Sequence, residues 1–100
     1  MLLSQLMVIA GRDKLQKLAK KHGDARGPLG AWIREAEAAA WRRMASVKAR
    51  YPNASILSGN RVVFDIKGNR YRVLAQIAFG TQRVAILRAG THVEYDRWNL

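Results

Sequence analysis

The sequence predicts an α+β domain in which two or three N-terminal helices pack on a three- to four-stranded antiparallel sheet. Three observations predict it. Apolar residues recur at helical spacing before Ser55 and alternate with a period of two after it. A Gly68-Asn69 pair separates two alternating runs whose faces match when paired across it. The chain has 100 residues, 49% of them apolar, which suits one small core and a single domain over residues 1–100.

The elements follow in order. Residues 1–10 are apolar and form a candidate first strand, with Met7-Val8-Ile9 as its β-favouring part. Asp13 is placed to cap a helix running through Lys21, with Leu15, Leu18 and Ala19 on one face. His22-Gly23-Asp24 supplies the stop, since glycine tolerates the left-handed conformation that ends helices. A second helix begins near Pro28, because proline fits a first turn, and Leu29, Trp32, Ile33, Ala36 and Ala40 form its apolar stripe. Arg34, Glu35, Arg42 and Arg43 lie mostly off that stripe. A third helical turn over residues 46–50 stops before Pro52.

In the strand half, counting outward from a Gly68-Asn69 turn pairs Lys67 with Arg70, Ile66 with Tyr71, Asp65 with Arg72, Phe64 with Val73 and Val62 with Ala75. Every pair is apolar with apolar or polar with polar, and a slip of one residue mixes the faces. The buried face is therefore Val62, Phe64, Ile66, Tyr71, Val73, Ala75 and Ile77. The other face carries Arg61, Asp65, Lys67, Arg70, Arg72 and Gln76, and is expected to be open. A second, glycine-first turn at Gly80-Thr81 returns the chain along residues 83–89, with Val84 and Ile86 in the core and Ala85, Leu87 and Ala89 opposite. That register sets Ala89 across from Arg72.

Charge gives the first functional indication. Eighteen Lys and Arg against seven Asp and Glu leave +11, spread along the chain, and a compact domain this basic attracts polyanions, nucleic acid above all. No cysteine is present, which excludes disulfides, thiolate nucleophiles and Cys-ligated zinc. The apolar run at residues 6–10 is too short to span a bilayer and lacks the flanks of a secretory signal, so a cytoplasmic, membrane-free protein is expected. The sequence carries neither a phosphate-cradling glycine loop nor a serine elbow. No His and carboxylate cluster has metal-ligand spacing, so no metal and no other cofactor is expected.

Two constellations remain. Lys67, Arg70 and Arg72 cluster around one hairpin with Tyr71 between them, and arginine's planar fork suits phosphate. The plainer reading is a solvated strand face with Arg72 paired to Asp65. After the last strand comes His92, a residue type suited to proton transfer, and Tyr95 follows it by about one helical turn. A lone histidine there is also a common capping residue. His22, at a helix end, reads as structural; Trp32 and Trp41 read as core; Trp98 takes no assignment.

The run Arg61-Val62-Val63-Phe64-Asp65-Ile66-Lys67-Gly68-Asn69-Arg70-Tyr71-Arg72, followed by Gly90-Thr91-His92-Val93-Glu94-Tyr95-Asp96, resembles the HigB family of bacterial toxins. Ala31-Trp32 after Pro28-Leu29, then Trp41, Val47-Lys48, Tyr51 and Asn53-Ala54, are similar in order. The resemblance covers residues 7–98 and leaves residues 1–6 as an N-terminal extension, with translation starting at Met1 or Met7. It implies a RelE-like fold and a ribosome-dependent, metal-independent endoribonuclease that cuts mRNA with the RNA's own 2′-hydroxyl. It also implies a HigA-type helix-turn-helix antitoxin, in some cases within a toxin–antitoxin heterotetramer. By position in the motifs it implies Lys67, Arg72, His92 and Tyr95 as catalytic residues. Arg61, Arg70 and Arg88 are the accompanying RNA-binding candidates. Two other readings fit the same chain: a ParE-like toxin that inhibits DNA gyrase without nuclease activity, and a basic RNA-binding module that never cuts.

Overall fold

The computed structural model describes residues 6–100, so the extension expected over residues 1–6 lies, apart from Leu6, outside the described residues. The chain runs β1 (Val8–Ala10), α1 (Arg12–Lys21), a 3-10 turn (Gly23–Ala25), α2 (Arg26–Ala39), α3 (Met44–Arg50), β2 (Ser55–Leu57), β3 (Arg61–Ile66), β4 (Tyr71–Ala78), β5 (Arg83–Thr91) and α4 (His92–Tyr95). The helices pack on one five-stranded sheet of order β1-β5-β4-β3-β2. The α+β expectation holds, with two corrections to the sheet. It has five strands, and it is mixed, because β1 runs parallel to β5. The additional strand is β2, three residues paired antiparallel to β3 and too short to show a period.

The β1–α1 junction explains how an edge strand can feed a helix on the core side. Gly11 takes φ 83°, and a Cβ there would stand 2.6 Å from the Ile86 carbonyl oxygen. Only glycine fits both demands. Gly11, in the position that precedes the first helical residue, also displaces Asp13 from its expected capping role; Asp13 lies in the first turn instead. Gly11→Ala should lower stability by roughly 1–3 kcal/mol, the cost of a strained backbone, visible as a lower urea midpoint.

Helix α2 starts two residues before Pro28, which still lies in the first turn, and it ends at Ala39; Ala40, just beyond, is left-handed at φ 49° and so leaves the predicted stripe. Leu29, Trp32 and Ala36 bury as expected. Phe64 is the centre of the core. The rings of Trp32, Tyr51 and Trp41 stand 5.0, 5.1 and 6.1 Å from it. Aromatic contacts at these separations add to area burial.

The β3–β4 register is the predicted one from Val62↔Ala75 through Ile66↔Tyr71. The turn beyond it differs. Lys67 and Gly68, not Gly68 and Asn69, take positive φ, at 54° and 68°. At the second hairpin Gln82, not Gly80, is the left-handed residue, held by side-chain donation to the Trp41 and Phe79 carbonyls.

Strand β5 carries the most consequential departure. A bulge between Leu74 and Ala75 sets Ala75 opposite Ile86 but Leu74 opposite Arg88, so Leu87 is the extra residue. The phase flips there. Ala89 turns inward against the core, Arg88 turns to the outer face, and Gly90, not Ala89, pairs with Arg72. The outer face is also not open along its middle: Val63, Leu74 and Arg72 are all buried.

Candidate active site

Arg72 is the organising side chain of the outer face and the one buried charged residue among the described residues, 9% exposed. It projects from β4 between Asp65 of β3 and Gly90 of β5. Its Nη1 donates to Asp65 Oδ1 at 3.3 Å and its Nη2 reaches His92 Nδ1 at 3.1 Å. Its Nε is 3.1 Å from the same Asp65 oxygen but outside hydrogen-bonding geometry, leaving that buried N–H without an acceptor. The guanidinium lies over the Tyr95 ring, 4.8 Å from its centroid. Two of five N–H groups are thus engaged in these bonds; with Nε buried, the remaining Nη hydrogens are the ones left to meet an anion.

His92 and Tyr95 arrive on α4, and the sequence dictates where that helix starts. Thr91 is its cap: Glu94 N donates to Thr91 Oγ1 at 3.1 Å, and Thr91 N donates to Glu94 Oε1 at 2.8 Å. This reciprocal box was legible as Thr-x-x-Glu at Thr91 and Glu94. The backbone bond from Thr91 holds the Glu94 carboxyl below its usual range, with the Thr91 hydroxyl and the charges of Lys21 and His22 assisting. Gly90 makes room beneath, since a Cβ there would fall 3.0 Å from Glu94 Oε1 and 3.1 Å from Trp98.

The tautomer of His92 follows from its neighbours. Arginine only donates, so Nδ1 must accept, and the ring proton of the neutral form resides on Nε2. That atom faces Asp96 Oδ2 at 3.5 Å, one helical turn on. An imidazolium has no lone pair to offer Arg72, so this contact belongs to the neutral ring.

Around this centre the aromatic side chains form a continuous strip. Tyr95 meets Trp98 edge-on at 5.5 Å, and Arg88 lies 5.8 Å above Trp98. Trp98, which the sequence left unassigned, therefore links Arg88 to the Arg72 group.

Lys67 stands apart from them. Its left-handed backbone turns the side chain away from the outer face, and Nζ pairs with Asp24 Oδ2 at 2.9 Å. The expectation that Lys67 shares a face with Arg72 is corrected accordingly. Asp24, in the 3-10 turn, also accepts from the Tyr71 hydroxyl at 2.5 Å and from Arg70 at 3.4 Å, so one carboxylate fixes the hairpin tip to the helical layer. Arg61 is at the far end of β3, its Nε donating to the Ser58 carbonyl at 2.9 Å, four residues from Asp65 and so roughly 13 Å along the strand.

The Tyr71 hydrogen bond, then that of Lys67, lowers the Asp24 carboxyl from 3.8 to about 2, while the same bond raises the Tyr71 phenol. The folded value is the lower one, so the contribution to stability is complete above pH 3.8 and is lost as pH falls toward 2. Asp24→Asn should remove this part of the acid dependence and leave the variant less stable than the parent at neutral pH. Urea midpoints measured across that window check it.

Among the described residues no group of three His, Asp or Glu side chains converges as a metal site. No helix among them is long and apolar enough to cross a membrane. No curated protein matches the chain. A family model does: HigB toxin, the RelE-like toxic component of a toxin-antitoxin system, matches residues 25–98. The chain belongs to the HigB toxin family. As a HigB toxin it is the toxic half of a two-component system and has an antitoxin for a partner. The matched span contains Arg72, His92, Tyr95 and Trp98 together with Asp65, and it leaves β1 and α1 outside.

Proposed function

We propose that this HigB toxin is a ribosome-dependent mRNA endoribonuclease, held in check by a HigA-type helix-turn-helix antitoxin and acting as one domain over residues 1–100. The observation that carries the reading is the convergence of a buried arginine, a histidine and a tyrosine: Arg72 within 3.1 Å of His92 and 4.8 Å above the Tyr95 ring. These are the parts that phosphodiester cleavage by an internal hydroxyl requires. The RNA 2′-oxygen attacks phosphorus, its proton passes to a base, and the bond to the 5′-oxygen breaks as that oxygen takes a proton. The products are a 2′,3′-cyclic phosphate and a free 5′-hydroxyl.

Arg72 stabilises the charge that develops on the phosphoryl oxygens, with no reorganisation because Asp65 and Tyr95 already hold it. His92 gives or takes a proton, and Tyr95 orients the RNA or shares that transfer. Lys67 and Arg70 contribute positive charge at the hairpin tip, and Arg88 extends the cationic surface along Trp98. Arg61 contacts RNA farther out.

Primer extension on a defined mRNA, with and without translating ribosomes, tests the proposal. Cuts within the reading frame that appear only with ribosomes are the expected result. Cuts without ribosomes keep the nuclease and remove the dependence. Growth arrest with no cuts in either reaction overturns the reading and leaves a non-nuclease toxin of the gyrase-inhibiting kind.

A further inference from the structure

The chain segregates its two kinds of cation. Four of its six lysines, Lys14, Lys17, Lys20 and Lys21, lie on α1, whereas arginine predominates on the sheet. Lys14, Lys17 and Lys21 fall at i, i+3 and i+7, on one side of the helix beside the buried Leu15 and Leu18, and Lys20 widens the stripe. Among the described residues none of the four is in an ion pair. Together they line a groove of about 550 Å³ whose opposite wall is Ala89 and Glu94. Glu94, the one acid in that lining, offsets a single charge and leaves the four lysines in excess.

The groove adjoins the site. Helix α4 is the ridge between them: Glu94 lines the lysine groove while His92 and Tyr95, on the same helix, meet Arg72. A helix is about 10 Å across, and the lysine stripe extends roughly the same distance along α1. An RNA strand with one phosphate at Arg72 therefore has neighbouring phosphates within reach of the lysines.

We propose that the lysine face of α1 is a second RNA-binding surface, which holds the sugar-phosphate backbone beside the site and reads no bases. Lysine suits that task, being a mobile point charge that accepts any phosphate in range, whereas the fork of Arg72 suits one phosphate in a fixed place. Continuity with Arg72 across α4 favours RNA over an acidic protein. The surface lies on α1, outside the residues 25–98 that the HigB family model matches. The inference rests on the nuclease reading only for which RNA is held.

The test is binding, kept separate from cleavage. The probe is a fluorescein-labelled 2′-O-methyl RNA strand, which has no free 2′-hydroxyl and cannot be cut. Its affinity is measured over a range of salt concentrations for the parent, for the quadruple variant Lys14→Gln, Lys17→Gln, Lys20→Gln, Lys21→Gln, and for the same four positions changed to Arg. Glutamine is a good helix former, so α1 should persist. Each lost phosphate contact reduces the slope of log affinity against log salt by about 0.7. The Gln variant should therefore lose at least about two units of slope and bind more than roughly tenfold more weakly. The Arg variant should retain the parental slope.

A Gln variant with parental slope and affinity overturns the proposal, as does a parent that does not bind the strand. A Gln variant that binds RNA normally but no longer co-purifies with antitoxin also overturns it and assigns the face to protein. Failure here and failure of the nuclease reading are distinguishable. A parent that cuts mRNA while its Gln variant binds unchanged defeats only this inference. A parent that binds through the lysines and never cuts defeats only the nuclease.

Discussion

Arg72→Ala should lower ribosome-dependent cleavage by roughly a hundredfold or more, the loss expected when a preorganised cation facing a developing oxyanion is removed. Arg72→Lys should recover little of it. A lysine ammonium lacks the planar fork that now reaches Asp65 and His92 from different nitrogens of one group. The prediction needs a control for folding, because Arg72 is buried and its removal leaves the Asp65 carboxylate without its cation, at a cost of roughly 1–3 kcal/mol. Asp65→Asn supplies that control. It breaks the same ion pair while keeping the guanidinium, so a general loss of structure depresses both variants and a chemical role depresses Arg72→Ala far more. Rates are compared at a temperature where thermal melts show every variant folded. Equal, small effects in the two would remove Arg72 from the chemistry.

The central hairpin was legible because its residues over-determine the register. Val62, Phe64 and Ile66 on one side of the turn and Tyr71, Val73 and Ala75 on the other admit one pairing that keeps the faces apart, and all six are buried. The bulge in β5 was harder to read. One extra residue leaves local alternation intact on both sides of it, so Val84 and Ile86 still read as core and Leu87 as the opposite face. The conflict lay one position on. Strict alternation carries Arg88 to the buried face with Val84 and Ile86, and a change of phase at Leu87 resolves it. That change brings Gly90 beside Arg72 and so places α4 over it.

Other parts of the site were hidden for physical reasons of their own. Lys67 sits next to a Gly-Asn pair that normally supplies the left-handed residues, and nothing local signals that the lysine itself takes φ 54°. Its partner Asp24 is distant in sequence, in a segment that reads as a helix stop. Trp98 needed the outer face to be known before it had anything to pack on. The parallel pairing of β1 was equally hidden, since a three-residue strand has no pattern that distinguishes a parallel neighbour from an antiparallel one.

The clustered residues also separate two kinds of role, and His92 is where they can be told apart. His92→Ala should reduce cleavage by roughly a hundredfold or more if the ring moves a proton. The same loss would follow if the ring merely held Arg72 in place by accepting from its Nη2. His92→Gln distinguishes the two. A glutamine carbonyl can accept from arginine as Nδ1 does, but an amide does not titrate, so Gln is as inactive as Ala under a proton-transfer role and restores much of the activity under a positioning role. The parent's pH profile should then show a limb that both variants lack, rising with pH for a base and falling for an acid. Asp96→Asn is a milder probe. The His92–Asp96 contact is 3.5 Å long with both side chains about half exposed, 48% and 58%, so its removal should cost no more than a few-fold in rate. Full activity in His92→Gln would assign the ring to holding Arg72, and parental rates in both substitutions would remove it from the reaction.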